Sequence, residues 1–449
     1  MLSISSGHSA DYLTGQVAAG RESYYTGAVT AGEPPGRWAG RGAERLGLSG
    51  LVDAQDMTAL YEYRLDPRDA RFRQPTEWGR AATLGGPLRA YASADELYER
   101  ALAAEPYAGP ERREVLRLNA ERTARSNVQF LDATFSAPKS VTVLAVAFER
   151  QAVEAERVGD SEAAAAWTAH RDAVEAAVLA GNQAMLDYLQ DVAGYSRVGH
   201  HGGEAGRFVD AHDWVVASFL QHDSRDHDPQ LHVHNAILNR VQSADGKWRT
   251  LATRALYAHR GAAGALAERV MEEHLTKSLG LRFATRPDGK AREVLGVRPE
   301  VIELFSSRRR RITPKVAELV ARFEDRFGRQ PNSLELARLS LRATLATRRA
   351  KSHAGETAEE RLDRWDAQLR AEVADGLAGV ARDVLGLLDE PREPVRWSPA
   401  VVVETALAEV QAVRPTWTAG APTSTAALRR ACSVTSCPRR AYRRPTGSW

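Results

Sequence analysis

The chain has 449 residues, 43% of them apolar and 27% charged, which fits a globular protein of two or three domains at roughly 150 residues each. No apolar run approaches the roughly 20 residues of a membrane helix, and the first ten residues lack the basic start and apolar stretch of a secretory signal, so a cytoplasmic protein without membrane insertion is expected. Six of the 61 basic residues lie in 416–449, a segment with no acidic residue, so the remainder carries 55 basic against 58 acidic side chains and the net charge of +3 does not by itself signal a nucleic-acid partner.

The first 55 residues are rich in Gly, Ser and Tyr, with a turn at Glu33, Pro34, Pro35 and Gly36. Ser93, Ala94, Asp95 and Glu96 form a capping box that should start a helix running to about Ala104. The stretch NVQFLDATF at 127–135 reads as a strand, and Ser136, Ala137 and Pro138 then cap a helix. Two long helices are expected at about 139–158 and 161–191, rich in Ala, Glu and Val. Short β signals follow at 195–198, 207–209, 214–222 and 231–239. The last two are separated by the polar segment 223–230 with Asp228 and Pro229, a hairpin signature.

From about 255 to 411 the pattern is helical, with basic patches at Arg308, Arg309, Arg310 and Arg311 and at Arg342, Arg348, Arg349 and Lys351. The tail at 416–449 has no periodicity, holds the only two cysteines, Cys432 and Cys437, and is expected to be disordered. The fold therefore does not depend on disulfides. No phosphate-binding G-x-x-x-x-G-K-[ST] loop occurs, so the chain carries no nucleotide-driven motor of that type.

The chemistry concentrates in FLQHDSRDHDPQLHVHNAILN at 219–239. His232 and His234 stand two apart on a strand, so their side chains leave the same face of the sheet. His222 ends the preceding strand and, if the two strands pair antiparallel, is expected to approach them. Three imidazoles converging on one face make a metal site, and three neutral ligands leave the ion its charge and open coordination positions. A lone strand histidine is usually a hydrogen-bonded core residue, but two buried imidazoles side by side without a ligand would waste desolvation energy. His200, His201 and His227 fall in loops and read as structural or surface residues.

The string from His222 to Asn239 resembles the three-histidine motif of the HUH endonucleases, in the form found in conjugative relaxases of the MobF class (TrwC/TraI-type). Other blocks agree in order: YYTG at 24–27, PGRW at 35–38, GRGAE at 40–44, LGLSG at 46–50, LDATFSAPKS at 131–140, GKW at 246–248 and ALY at 255–257. Together they span about residues 1–350. Tyr12 is followed by Leu13 where the family often shows a denser tyrosine cluster. The gap from His222 to His232 is one residue shorter than in the best-known members, within a loop that tolerates length change.

The resemblance implies an α+β fold with a palm-like antiparallel sheet carrying a three-His metal site, flanked by helices, plus a helical C-terminal region. The expected organisation is a relaxase domain at 1–350, a helical extension at 351–415 and a disordered basic tail at 416–449. The implied activity is cutting and rejoining one DNA strand at an origin of transfer through a 5′-phosphotyrosine. Tyr12 would be the first nucleophile and Tyr24 or Tyr25 the second, because ending transfer needs another strand exchange while the first tyrosine is still esterified. A divalent ion (Mg, Mn or Zn) on His222, His232 and His234 would neutralise the scissile phosphate. Asp132 would orient a metal histidine or take the phenolic proton. Arg225 and Lys139 would bind DNA, Arg225 alternatively pairing with Asp226 or Asp228. Expected partners are origin DNA, single-stranded and duplex, and other conjugation proteins.

Three other readings compete. A rolling-circle replication initiator of the same superfamily would share the histidines. A non-catalytic origin-binding remnant would bind without nicking. An iron oxygenase would need a 2-His-1-carboxylate set drawing on Asp223 or Asp228.

Overall fold

Alternation of side chains along five strands decides the architecture. The computed structural model describes residues 1–7, 33–86, 90–199, 206–286, 291–348 and 356–387, with a few positions between 400 and 411. In chain order the elements are β1 (Leu2–Gly7), β2 (Arg37–Ala39), α1 (Arg41–Arg45), α2 (Ala54–Met57), a π turn (Thr58–Glu62), α3 (Ala94–Ala104), α4 (Pro110–Thr123), β3 (Phe130–Ser136), α5 (Lys139–Arg157) and α6 (Ser161–Ala193). There follow β4 (Tyr195–Val198), β5 (Arg207–Asp210), β6 (Val216–Asp223), β7 (Pro229–Leu238), β8 (Val241–Gln242), β9 (Trp248–Arg249) and α7 (Thr253–Leu279). The rest comprises β10 (Phe283–Thr285), β11 (Arg292–Val294), α8 (Pro299–Leu304), α9 (Ser307–Phe327), α10 (Ser333–Ala346), α11 (Ala358–Arg370) and α12 (Gly376–Gly386). No helix among the described residues is long and apolar enough to cross a membrane.

The main sheet is antiparallel, in the order β1-β3-β7-β6-β2. Leu131, Ala133 and Phe135 of β3, Leu231, Val233 and Ile237 of β7 and Val216 and Leu220 of β6 face one way, into a core shared with α5, α6 and α7. One polar residue sits among them. Asn235 donates to the Ala133 carbonyl at 2.7 Å and to Asn182 Oδ1 of α6 at 2.7 Å, and its own oxygen accepts from Asn182 at 3.0 Å and from Ser218 Oγ at 2.7 Å. A buried amide this well bonded costs little, whereas a one-residue slip of β7 would strand it and turn every neighbour over.

The opposite face is covered only in part. Over β2 and β6 a second cluster packs Leu46, Leu48, Met57, Leu60, Tyr61 and Phe72 on Phe130, Phe219, Ala236 and Leu238. The Tyr61 hydroxyl donates to the Ala236 carbonyl at 2.6 Å. Over β1, β3 and the start of β7 this face stays open as a cavity of about 1050 Å³.

The strand at 127–135, the hairpin and the two long helices appear within a few residues of their expected bounds, and the Ser93–Glu96 capping box is formed in both directions. The region from 255 to 411 is not purely helical: the three-residue strands β10 and β11 pair within it, too short to leave a periodic signature. Nor does the packing break at 350. Leu362, Trp365 and Leu369 of α11 and Leu377, Val380 and Val384 of α12 belong to the same apolar core as α5 and α6, so the helices expected as an extension are built into the body. The tail at 416–449 and both cysteines lie outside the described residues.

Replacing Asn182 by Ala leaves Asn235 short of partners in the core and should cost about 1–3 kcal/mol. Urea unfolding measures this, and a loss below about 0.5 kcal/mol, the range of ordinary surface substitutions, would show that the pair does not secure the register.

Candidate active site

Because Asn235 and Val233 face the helices, His232 and His234 face the cavity, with ring centroids 4.9 Å apart and nearly perpendicular planes. Both rings are held by their Nδ1 atoms. That of His232 is 2.7 Å from the Gln230 carbonyl, and that of His234 is 2.9 Å from Asp132 Oδ2. A carbonyl and a carboxylate can only accept, so each Nδ1 carries the proton and a metal would be bound through Nε2. Asp132 comes from β3, where the register sets it beside Ala236, and Thr134 next to it donates to its Oδ1 at 3.1 Å. Asp132 is 7% exposed, buried enough for its bond to His234 to be little screened.

His222 does not join this pair. The register puts Gln221 opposite His232 and Phe219 opposite His234. His222 follows Gln221 where the β6–β7 pairing shifts register, and its ring turns to α6. Its Nδ1 lies 2.5 Å from Glu33 Oε2 and its Nε2 3.0 Å from Glu175 Oε1 on α6. Glu33 in turn accepts from Arg361 of α11 at 3.1 Å. Burial alone would push the His222 imidazole down, but hydrogen bonds to Glu175 and Glu33 and their charges outweigh it and lift it to about 10. Burial also opposes ionisation of Glu33, yet the bonds and charge from His222, with Arg361, hold it below the usual range. The expected three-histidine set is therefore not formed. The reason is local: the β6–β7 pairing shifts register between Gln221 and Asp223, and in that irregular stretch the His222 ring is taken up by Glu33 and Glu175. Among the described residues no three His, Cys, Asp or Glu side chains converge to hold a metal. The His232–His234 pair, steadied from behind by Asp132, fits a divalent cation; the expected third imidazole does not. The same absence leaves the 2-His-1-carboxylate reading without its carboxylate.

The hairpin tip shapes the cavity wall. His227 adopts a left-handed backbone, φ 59°, and its carbonyl accepts from Trp365 Nε1 at 2.8 Å and from Arg364 at 3.2 Å. Asp228 accepts from the Ser307 backbone and hydroxyl, both at 2.8 Å, while Asp226 pairs with Arg311. Both carboxylates expected as alternative partners for Arg225 are thus engaged by α9, and Arg225 lines the cavity together with Arg308, Arg309 and Arg348. Burial, then the nearby charges of Arg348 and Arg225, lower the pKa of Arg308. Lys139, at the start of α5, also lines the cavity and donates from Nζ to the Pro229 carbonyl at 2.5 Å. Burial pushes it down to about 8 despite the charges of Asp228 and Glu293. Tyr12, Tyr24 and Tyr25 lie outside the described residues, as do His200 and His201. The role of α11 in clamping the hairpin had no local signal in the sequence, since Trp365 and Arg364 lie some 140 residues from the loop they hold.

The comparisons with known proteins agree with one another. Two curated relatives are similar, both named multifunctional conjugation protein TraI. One from Escherichia coli is 27% identical over 326 residues, covering 70% of this chain, and one from Escherichia coli strain K12 is 28% identical over 331 residues, also covering 70%. The chain spans only 14% of the length of either. Among solved structures, the conjugative relaxase TrwC in complex with mutant oriT DNA has a TM-score of 0.50 at 23% identity, covering 83% of this chain and 98% of that one. A copper-bound complex of the same relaxase has a TM-score of 0.51 at 22% identity, with the same coverage. These likenesses establish the fold, an antiparallel sheet flanked by helices. The model of the TrwC relaxase family matches residues 6–372, most of the chain, and the chain belongs to that family.

Proposed function

We propose that this protein is a conjugative relaxase that nicks one DNA strand at an origin of transfer, remains joined to it through a 5′-phosphotyrosine and later reseals it. The carrying observation is the His232–His234–Asp132 group on the floor of a cavity walled by Arg225, Arg308 and Arg348, in a chain of the TrwC relaxase family. The solved relatives are complexes of TrwC with oriT DNA, which supports single-stranded and duplex origin DNA as the substrate here; other conjugation proteins would be further partners.

In the reaction a tyrosine hydroxyl attacks phosphorus, the new O–P bond forms as the bond to the 3′ oxygen breaks, and the phenolic proton ends on that oxygen. One phosphodiester replaces another, so no nucleotide is consumed and the step reverses. A divalent ion held by His232 and His234 would supply charge against the non-bridging oxygens and fix the phosphorus for in-line attack. Asp132 holds the tautomer and orientation of His234. With both its oxygens within 3.1 Å of His234 Nδ1, it is better placed for that than to receive the phenolic proton. The arginines of the cavity wall hold flanking phosphates in register. Tyr12 is proposed as the first nucleophile, with Tyr24 or Tyr25 serving the second exchange.

Nicking of a supercoiled plasmid bearing the cognate origin should fall by about 100-fold or more on chelation with EDTA or on His232→Ala, with DNA binding largely kept. Activity that survives both removes the metal from the reaction, and binding without any nicking by the native chain would make it an origin-binding protein only. Tyr12→Phe should prevent the covalent adduct, whereas Tyr24→Phe or Tyr25→Phe should spare first cleavage and impair strand exchange. Peptide mapping of the adduct decides, and a cross-link on the peptide holding Tyr24 and Tyr25 reverses the order. Asp132→Ala should weaken Mn²⁺ binding by about 10–100-fold; unchanged affinity would show that Asp132 does not act through His234.

A further inference from the structure

Away from the histidine pair, two arginines stand near each other with no acid between them. Arg64 follows the π turn and Arg240 follows β7. Gln129 joins the two segments: its side-chain oxygen lies 3.5 Å from Arg64 Nη2, and its backbone carbonyl accepts from Asn239, the residue before Arg240, at 2.9 Å. Arg64 is 5% exposed and Gln129 7%, whereas Arg240 is half-buried, so the group meets solvent on the Arg240 side. Among the described residues, Arg64 Nη1 and Arg240 Nε are buried donors with no hydrogen-bond partner. Burial and then the charge of Arg240 push the Arg64 guanidinium down to about 10, and burial lowers Arg240 as well; no carboxylate offsets either. Arg64 also holds a left-handed backbone, φ 57°, in which a side chain is strained. It is kept there by buried Leu65 and by the Leu84 N–H, which donates to its carbonyl at 2.7 Å. Desolvation, repulsion and backbone strain thus fall on one charged group, a combination that a bound anion would repay.

We propose that Arg64 and Arg240, bridged by Gln129, form an anion site for a phosphate group, separate from the arginine wall of the catalytic cavity. Guanidinium N–H groups match phosphate oxygens in geometry, and a phosphate between the two cations cancels their repulsion. None of the three residues lines the cavity, but Gly7, which accepts from the Gln129 N–H at 2.9 Å, and Phe130 beside it line its far end. From Phe130 to Ser136, which stands opposite His232, β3 runs about 20 Å. A single strand laid along β3 from the histidines would therefore bring a backbone phosphate to the arginines several nucleotides from the scissile bond. Free inorganic phosphate is the other source of the same chemistry. The anion site stands on the arginines themselves; its use by DNA rests on the relaxase reading.

The test is thermal unfolding of the full chain, native and as Arg64→Gly and Arg240→Gln, in inorganic phosphate and in chloride of equal ionic strength. In chloride both variants should melt within about 2 °C of the native chain or above it, since each removes a crowded charge and glycine suits the backbone at 64. Saturating phosphate should raise the native melting temperature by about 2 °C or more beyond its effect on either variant. Phosphate bound by the cavity arginines shifts all three chains alike and drops out of that difference. Equal shifts in all three overturn the site. So does a loss of more than about 5 °C by both variants in chloride, which would mark the arginines as structural ties. If Arg64→Gly does not fold, Arg240→Gln decides. Single-stranded DNA carrying the origin then identifies the source. A backbone phosphate in the site makes both variants bind it about 5–10-fold more weakly and lowers the slope of log affinity against log salt by about 0.7. Unchanged DNA affinity together with a lost phosphate shift assigns the site to free phosphate. Plasmid nicking reports separately on the function: a chain that shows the phosphate shift and never nicks would sink the relaxase reading and leave the anion site standing.

Discussion

Everything at the site depends on which way β7 faces, and that is fixed by a hydrogen-bonded amide on the far side of the sheet. Asn235 is fully buried, with partners on β3, β6 and α6. Those bonds exist in one register only. In that register the apolar residues of β7 meet the helices and the two histidines meet the cavity. Shifting the strand by one position would bury both imidazoles against Val143, Leu144 and Phe148 and expose the apolar set, so core packing and site geometry are enforced together. A polar residue inside the apolar face thus acts as a specificity device, because it can be satisfied in only one arrangement.

The electrostatics of the cavity follow from where the hairpin spends its acids. The turn between β6 and β7 is rich in aspartate, which on a naive count would repel a polyanion. Asp226 and Asp228 are instead consumed by Arg311 and by the start of α9, and the His227 carbonyl is taken by α11. Among the groups lining the cavity, which also include Asp223 and Glu268, Arg225, Arg308 and Arg348 stand close enough for their charges to oppose one another. Cations crowded in this way are relieved by an anionic backbone. A chain whose body is nearly neutral can therefore gather an arginine cluster on one wall of the cavity.

Much of this was legible from the residues. An H-x-H pair on a strand has its direction set by period-two geometry, and the hairpin, the long helices and the capping box all carry local signals that tertiary packing did not override. The contact of Asp132 with His234 is different, since β3 and β7 lie about a hundred residues apart and only the family's block order joins them. Two things were not legible. The docking of α11 on the hairpin tip is a long-range contact with no local pattern behind it. The orientation of His222 depends on the register shift between Gln221 and Asp223, which a loop's length does not reveal.

That orientation has a physical cost attached to reversing it. Turning His222 to the metal face would mean re-forming the irregular stretch of β6 between Gln221 and Asp223 or sliding β6 past β7. The hairpin cannot absorb the slide, because its tip is clamped at several points: the His227 carbonyl by Trp365 and Arg364, Asp228 by Ser307, and the Pro229 carbonyl by Lys139. The move would also take the imidazole away from buried Glu33, which keeps only Arg361, and from the partly exposed Glu175, and a slide would carry Leu220 out of the core. Each of these terms opposes the move, and removing one partner from a buried ionic group typically costs about 3–5 kcal/mol. A single imidazole–metal bond would have to outweigh their sum.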